Sequence, residues 1–137
     1  MLLALVLLGC PEPKTDDSGT ACAEYAASSV TVNVTDLAGD PLRPDAVTYT
    51  VDGGPPSEAQ PVNEEGTQWV AGYEIAGEIT VTATLNRDTE DGCCQYDAEA
   101  SETVTIGMTE DGCHVEGQTI ALALDTDNLV CADTGCG

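Results

Sequence analysis

From Ser28 onward, aliphatic residues alternate with threonine and other polar residues at a period of two, the spacing that sends one set inward and the other into water. In the first stretch Val30, Val32 and Val34 share a face, and Thr31, Asn33 and Thr35 take the opposite one. It ends at Asp36-Leu37-Ala38-Gly39-Asp40-Pro41, a turn by composition. The next stretch places Val47, Tyr49 and Val51 inward and stops at Asp52-Gly53-Gly54-Pro55-Pro56, since proline offers a ladder no N–H. A weak edge segment is expected from Ala59 to Val62. Trp69, Ala71 and Tyr73 form another inward set, and Ile79, Val81, Ala83 and Leu85 the cleanest one. Val104 and Ile106 follow, then Ile120, Leu122 and Leu124. No window longer than a turn or two has helical periodicity. Short strands with turn signals between them predict an all-β domain, a seven-stranded antiparallel Greek-key sandwich over residues 28–124.

Residues 1–10 read MLLALVLLGC, an apolar run that closes on Leu7-Leu8-Gly9-Cys10. This resembles the lipobox of bacterial lipoprotein signal peptides, although no Lys or Arg precedes the apolar run. The resemblance implies a signal peptide over 1–9, cleavage before Cys10 and acylation of the Cys10 thiol and of the new amino terminus. Gly9 is small enough to admit a peptidase, and a thiol is the strongest nucleophile for taking a lipid. Two other readings compete. A membrane-spanning helix needs about 20 apolar residues, and this run stops at Pro11 and Pro13. A buried strand leaves the abrupt stop at cysteine unexplained.

The segment after Cys10, PEPKTDDSGT, is polar and proline-containing, so residues 10–27 are expected to be a lipidated cysteine and a flexible tether. As a flexible chain it would hold the domain roughly 20 to 25 Å from the lipid. The expected location is a bacterial cell envelope, with the outer membrane as default.

Several stretches resemble carboxypeptidase regulatory-like and bacterial immunoglobulin-like domains. These are the opening VTVNVTDLAGDPL, the VTYTVDGG hairpin, the Gly-Tyr-x-x-x-Gly-x-x-Thr-Val run from Gly72 to Val81, and the closing GCHVEGQTIALAL. The resemblance implies an Ig-like or transthyretin-like sandwich and a non-catalytic accessory, adhesive or spacer role.

Charge narrows the partners. Asp and Glu number 25 against 3 Lys and Arg, for a net charge of -22. Such a surface repels phosphate backbones and anionic headgroups, which excludes nucleic acid as a partner. The membrane is reached through the lipid anchor, and the expected partner is an envelope protein or glycan. High charge with few aromatics also marks disorder, but the alternation above argues for a packed domain.

The chain has seven cysteines and no C-x-x-C, which suits structural disulfides in an oxidising compartment. Setting Cys10 aside leaves Cys22, Cys93, Cys94, Cys113, Cys131 and Cys136. If each segment crosses the sandwich once, connections alternate between its ends. Cys22 and Cys113 then share one end, and Cys93, Cys94, Cys131 and Cys136, the last two in the tail 125–137, share the other. Cys22 is thus expected to pair with Cys113, and the vicinal cysteines with the tail pair. Against this, Thr89-Glu90-Asp91-Gly92-Cys93 recurs as Thr109-Glu110-Asp111-Gly112-Cys113. Were 95–106 to fold back as a hairpin, the parity would change and Cys93 could meet Cys113.

Few residues suggest chemistry. Asp88, Asp91, Asp125 and Asp127 are calcium candidates through hard oxygens, but none lies in an EF-hand pattern, and solvated turns explain them as well. His114, the one histidine, beside Cys113 invites a zinc or nucleophile reading, weighed against a structural histidine at the start of a strand. Asn33-Val34-Thr35 matches a glycosylation acceptor but lies within a strand. Trp69 is read as core rather than as a ligand platform. No catalytic residue and no cofactor is assigned; the alternative to a structural or interaction module is an adhesion-type module that binds calcium or a carbohydrate through its end loops.

Overall fold

A computed structural model describes Cys22 and residues 25–131. The described chain is all-β: β1 (Ser28–Asp36), β2 (Ala46–Val51), β3 (Ser57–Glu58), β4 (Gln60–Pro61), β5 (Gln68–Tyr73), β6 (Gly77–Leu85), β7 (Cys94–Tyr96), β8 (Ala98–Ile106), β9 (Gln118–Leu124) and β10 (Leu129–Cys131). Two open four-stranded sheets have the orders β9-β1-β5-β4 and β3-β2-β6-β8, and β7 pairs with β10 in a separate ribbon. Cys10 and Cys136 lie outside the described residues.

The two larger sheets share one core, to which the alternating sets contribute directly. Val30, Val32 and Val34 of β1, Ile79, Val81, Ala83 and Leu85 of β6, and Ile120, Leu122 and Leu124 of β9 are all at most 6% exposed. Trp69 is half-buried against this core, and its Nε1 donates to the Gly66 carbonyl at 2.9 Å, which satisfies the indole where it leaves the apolar region. Outward rows on the second sheet are threonine-rich, and their hydroxyls bond across strands, Thr80 to Thr103 at 2.8 Å and Thr82 to Ser101 at 2.7 Å.

Tyr73 departs from the expected alternation: it is 46% exposed. Gly72 before it has φ +81, a left-handed value that turns the strand out of its pleat. A Cβ on Gly72 would lie 2.8 Å from Ile75 Cδ1, and Ile75 packs on the core just beyond the strand end. Ser29, fully buried on the outer side of β1, anchors the same turn: its hydroxyl accepts from Ile75 N–H and donates to Ile75 C=O, both at 2.8 Å.

The weak edge segment resolves into two short strands in different sheets. Ser57 and Glu58 pair with Tyr49 and Thr48 of β2, whereas Gln60 and Pro61 pair with Val70 and Trp69 of β5. Buried Ala59 lies between them. The chain thereby steps from one sheet to the other along one side, and Pro61 sits on an edge where its missing N–H costs no ladder bond.

One pairing corrects the antiparallel expectation. β9 runs parallel to β1, with Gln118 opposite Val30 and Leu124 opposite Asp36. The reason is parity: when every segment crosses once, the first and seventh run the same way, so setting them side by side makes them parallel. Their approach is close. A Cβ on Gly117 would lie 2.2 Å from the Ser28 carbonyl oxygen, so glycine is required where β9 enters beside β1.

Candidate functional site

Disulfides close the domain at both of its ends. At one end Cys22 bridges Cys113, with Cα atoms 5.3 Å apart and a sequence separation of 91. At the other, Cys94 bridges Cys131 across the β7–β10 ribbon, where the two residues are register partners. Cys93 is disulfide-bonded as well. Cys22 with Cys113, and one vicinal cysteine with Cys131, is the arrangement that follows from crossing parity. The alternative joining Cys93 to Cys113 is excluded, because Cys113 is held by Cys22.

The repeated Thr-Glu-Asp-Gly-Cys segments are the same turn built twice, at opposite ends rather than facing each other. In each, the threonine hydroxyl donates to the aspartate at 2.5 Å and the cysteine N–H donates to the same oxygen, at 2.9 Å for Asp91 and 3.0 Å for Asp111. Gly92 and Gly112 take φ values of 73° and 71° and donate to Thr89 and Thr109 carbonyls. These bonds hold the Asp91 and Asp111 carboxyls below the usual carboxylate range, with the threonine hydroxyl as the largest cause in each. The charge of Asp91 is thus spent on its own turn. Asp125 Oδ1 likewise accepts from Asp127 N–H at 2.9 Å. Among the described residues no group of three or more His, Cys, Asp or Glu side chains is placed to hold a metal ion.

Sequence reasoning missed Glu74, which organises the end that carries Cys22. Its carboxylate accepts from Ala27 N–H at 2.9 Å, from Val115 N–H at 3.1 Å, and lies 2.5 Å from His114 Nδ1. Tyr25 stacks on the His114 ring with centroids 4.1 Å apart. The chain before β1, the β5–β6 turn and the chain before β9 therefore meet at one carboxylate. His114, 8% exposed, is a structural member of this clasp, and its neighbour Cys113 is oxidised. No local signal marks Glu74, one of many acidic residues; its left-handed φ of 54° is legible only in three dimensions.

The Ala27 backbone bond, and then His114, hold the Glu74 carboxyl below the usual range. Because the folded pKa is depressed, the clasp adds stability above the unfolded carboxylate value of about 4.3. That stability is lost as pH falls through the lower folded value. Glu74→Gln is expected to flatten the acid limb of the stability curve below about pH 4.3, leaving the part due to Asp91 and Asp111. Thermal midpoints measured against pH check this, and an unchanged acid limb would remove Glu74 from the folding balance.

A polar cleft of about 240 Å³ opens on the first sheet, between the turn after β1 and the turn before β5. Asn33, Thr35, Asn63, Thr67 and Gln68 line it with Val34 and Pro41. Gln68 Nε2 donates to Asn33 Oδ1 at 2.9 Å across the β1–β5 pairing. Asn63 is fixed by accepting from Thr67 and Gln68 N–H, at 3.0 and 3.1 Å, and donating to the Thr67 hydroxyl at 2.8 Å.

No family model, curated protein or solved structure matches this chain. No helix among the described residues is long and apolar enough to cross a membrane.

Proposed function

We propose that this chain is a lipid-anchored, non-catalytic module of a bacterial cell envelope, presenting an acidic β-sandwich to another envelope component. Disulfides at both ends of the domain carry the reading, because structural cystines persist in oxidising compartments outside the cytoplasm. They join a second, independent signal, the apolar run that stops at Leu7-Leu8-Gly9-Cys10. With β3, Ala59 and β4 counted as one segment, seven segments cross the domain, and we read them as a Greek-key sandwich of the transthyretin-like kind. Cys10 takes the lipid and the chain between it and Cys22 forms the tether, shorter than the expected 10–27 because Cys22, Tyr25 and Ala27 are held by Cys113, His114 and Glu74. The net charge of -22 keeps the body off anionic headgroups. The expected setting is the outer membrane.

Intact mass and non-reduced peptide mapping of protein taken from its native membrane tests the proposal. A mature chain beginning at acylated Cys10, with Cys22 linked to Cys113 and Cys94 to Cys131, is the expected result. An unprocessed Met1 with free thiols would overturn the anchor and the compartment together.

A further inference from the structure

We propose that the cleft between the β1–β2 and β4–β5 turns binds an uncharged glycan through an N-acetyl group, a site that gives the envelope reading above a ligand class. The lining comes first. In a chain with 25 acidic residues, no residue lining this cleft is charged. The flanking register positions on β9, Ala121 beside Asn33 and Ala123 beside Thr35, are small and uncharged, which leaves the outer face open there. An acidic protein without clustered basic residues has no means to hold an anionic sugar, so the neutral lining selects an uncharged one.

The polar groups are arranged as a fixed donor and acceptor pair. Gln68 and Asn33 spend one amide group each on their mutual bond, and Asn33 Nδ2 and Gln68 Oε1 take no partner among the described residues. An acetamido group offers the complement, its carbonyl to Asn33 Nδ2 and its N–H to Gln68 Oε1. Thr67 Oγ1 accepts from Asn63 Nδ2, which leaves its own proton available to a ring hydroxyl. Asn63 is locked by its three bonds, which lowers the ordering cost of binding. The volume, about 240 Å³, suits one sugar ring rather than an extended chain. A peptide groove would need deep apolar anchors, and the apolar lining here is confined to Val34 and Pro41 beside five amide or hydroxyl side chains.

The experiment titrates the 15N-labelled full chain in solution with triacetylchitotriose, maltotriose and an N-acetylated tetra-alanine amide, reading side-chain and backbone amide shifts. Binding in solution is independent of lipidation, so failure here leaves the anchor proposal standing, and loss of the anchor leaves this one standing. The expected result is saturable shifts with triacetylchitotriose at the side-chain amides of Asn33, Gln68 and Asn63 and the backbone of Thr67, absent with the other two probes. The double variant Asn33→Val/Gln68→Leu should weaken binding about tenfold or more while keeping the remaining spectrum. The single variant Gln68→Glu keeps the shape but removes the Nε2–H that holds Asn33 Oδ1, so Asn33 turns its Nδ2 to the new carboxylate and is lost to the ligand. It should weaken triacetylchitotriose binding about tenfold as well, and provides a second test should the double variant unfold. Equal response to maltotriose, response to the peptide alone, shifts confined to other surfaces, or no shifts at millimolar probe would each overturn the proposal.

Discussion

Replacing Cys22 and Cys113 together by serine is expected to lower the unfolding free energy by about 4 to 5 kcal/mol. The bridge closes a 91-residue separation, and the chain-entropy gain on its loss grows with the logarithm of that length. Cys94 and Cys131 are 37 residues apart, so the same change there should cost about 0.8 kcal/mol less. The comparison isolates the unfolded state, since each pair removes one bridge from one end of the same core. Urea denaturation without reductant checks both variants. A larger m-value should accompany each loss, because a chain freed of a cross-link exposes more surface on unfolding. Equal midpoints for parent and variants would mean that these bridges decorate the fold rather than restrain it.

Gly117→Ala is expected to cost about 3 kcal/mol, a large penalty for a single methyl group. The added Cβ would lie 2.2 Å from the Ser28 carbonyl oxygen, a backbone atom that cannot rotate away. β1 cannot retreat cheaply, since its other edge is held by β5 and its preceding chain by Glu74 and the Cys22–Cys113 bridge. At 4 to 8 °C per kcal/mol for a domain of this size, the midpoint should fall on the order of 15 °C. Gly107→Ala is the control: its Cβ meets nothing within 4 Å and its φ is ordinary, so the change should be neutral or stabilising by about 0.5 kcal/mol. Similar midpoints for the two variants would show that β9 tolerates displacement from β1.

Much of the fold is legible in the alternation. Val30, Val32 and Val34, and likewise Ile79 through Leu85, reach the core because a strand's side-chain period is short and any apolar row seeks burial. Where alternation failed, a backbone conformation intervened: Gly72 turned Tyr73 outward, and Ile75 took the position against the core. The cysteine pairing at Cys22 and Cys113 was within reach because parity depends on the count of crossings and not on which strands neighbour each other.

The site was less legible. Glu74 is chemically no different from the other glutamates in the sequence, and its role exists only because Ala27, His114 and Val115 converge on it. The cleft depends on Asn33 and Gln68, 35 residues apart, becoming cross-strand partners. As a sequence pattern, Asn33-Val34-Thr35 offers only an acceptor motif inside a strand.

By itself, then, the sequence determined the all-β character, the long strands and most of their inward faces, the doubled Thr-Glu-Asp-Gly-Cys turns and the acidic composition, because each follows from residues within a few positions of one another; the β7–β10 ribbon was not among the expected strands. The tertiary structure alone decided that β1 and β9 lie side by side and parallel, that Ala59 divides one segment between two sheets, and that Glu74 closes one end. Those outcomes rest on contacts between distant residues, whose energies depend on which surfaces meet and leave no trace in local order.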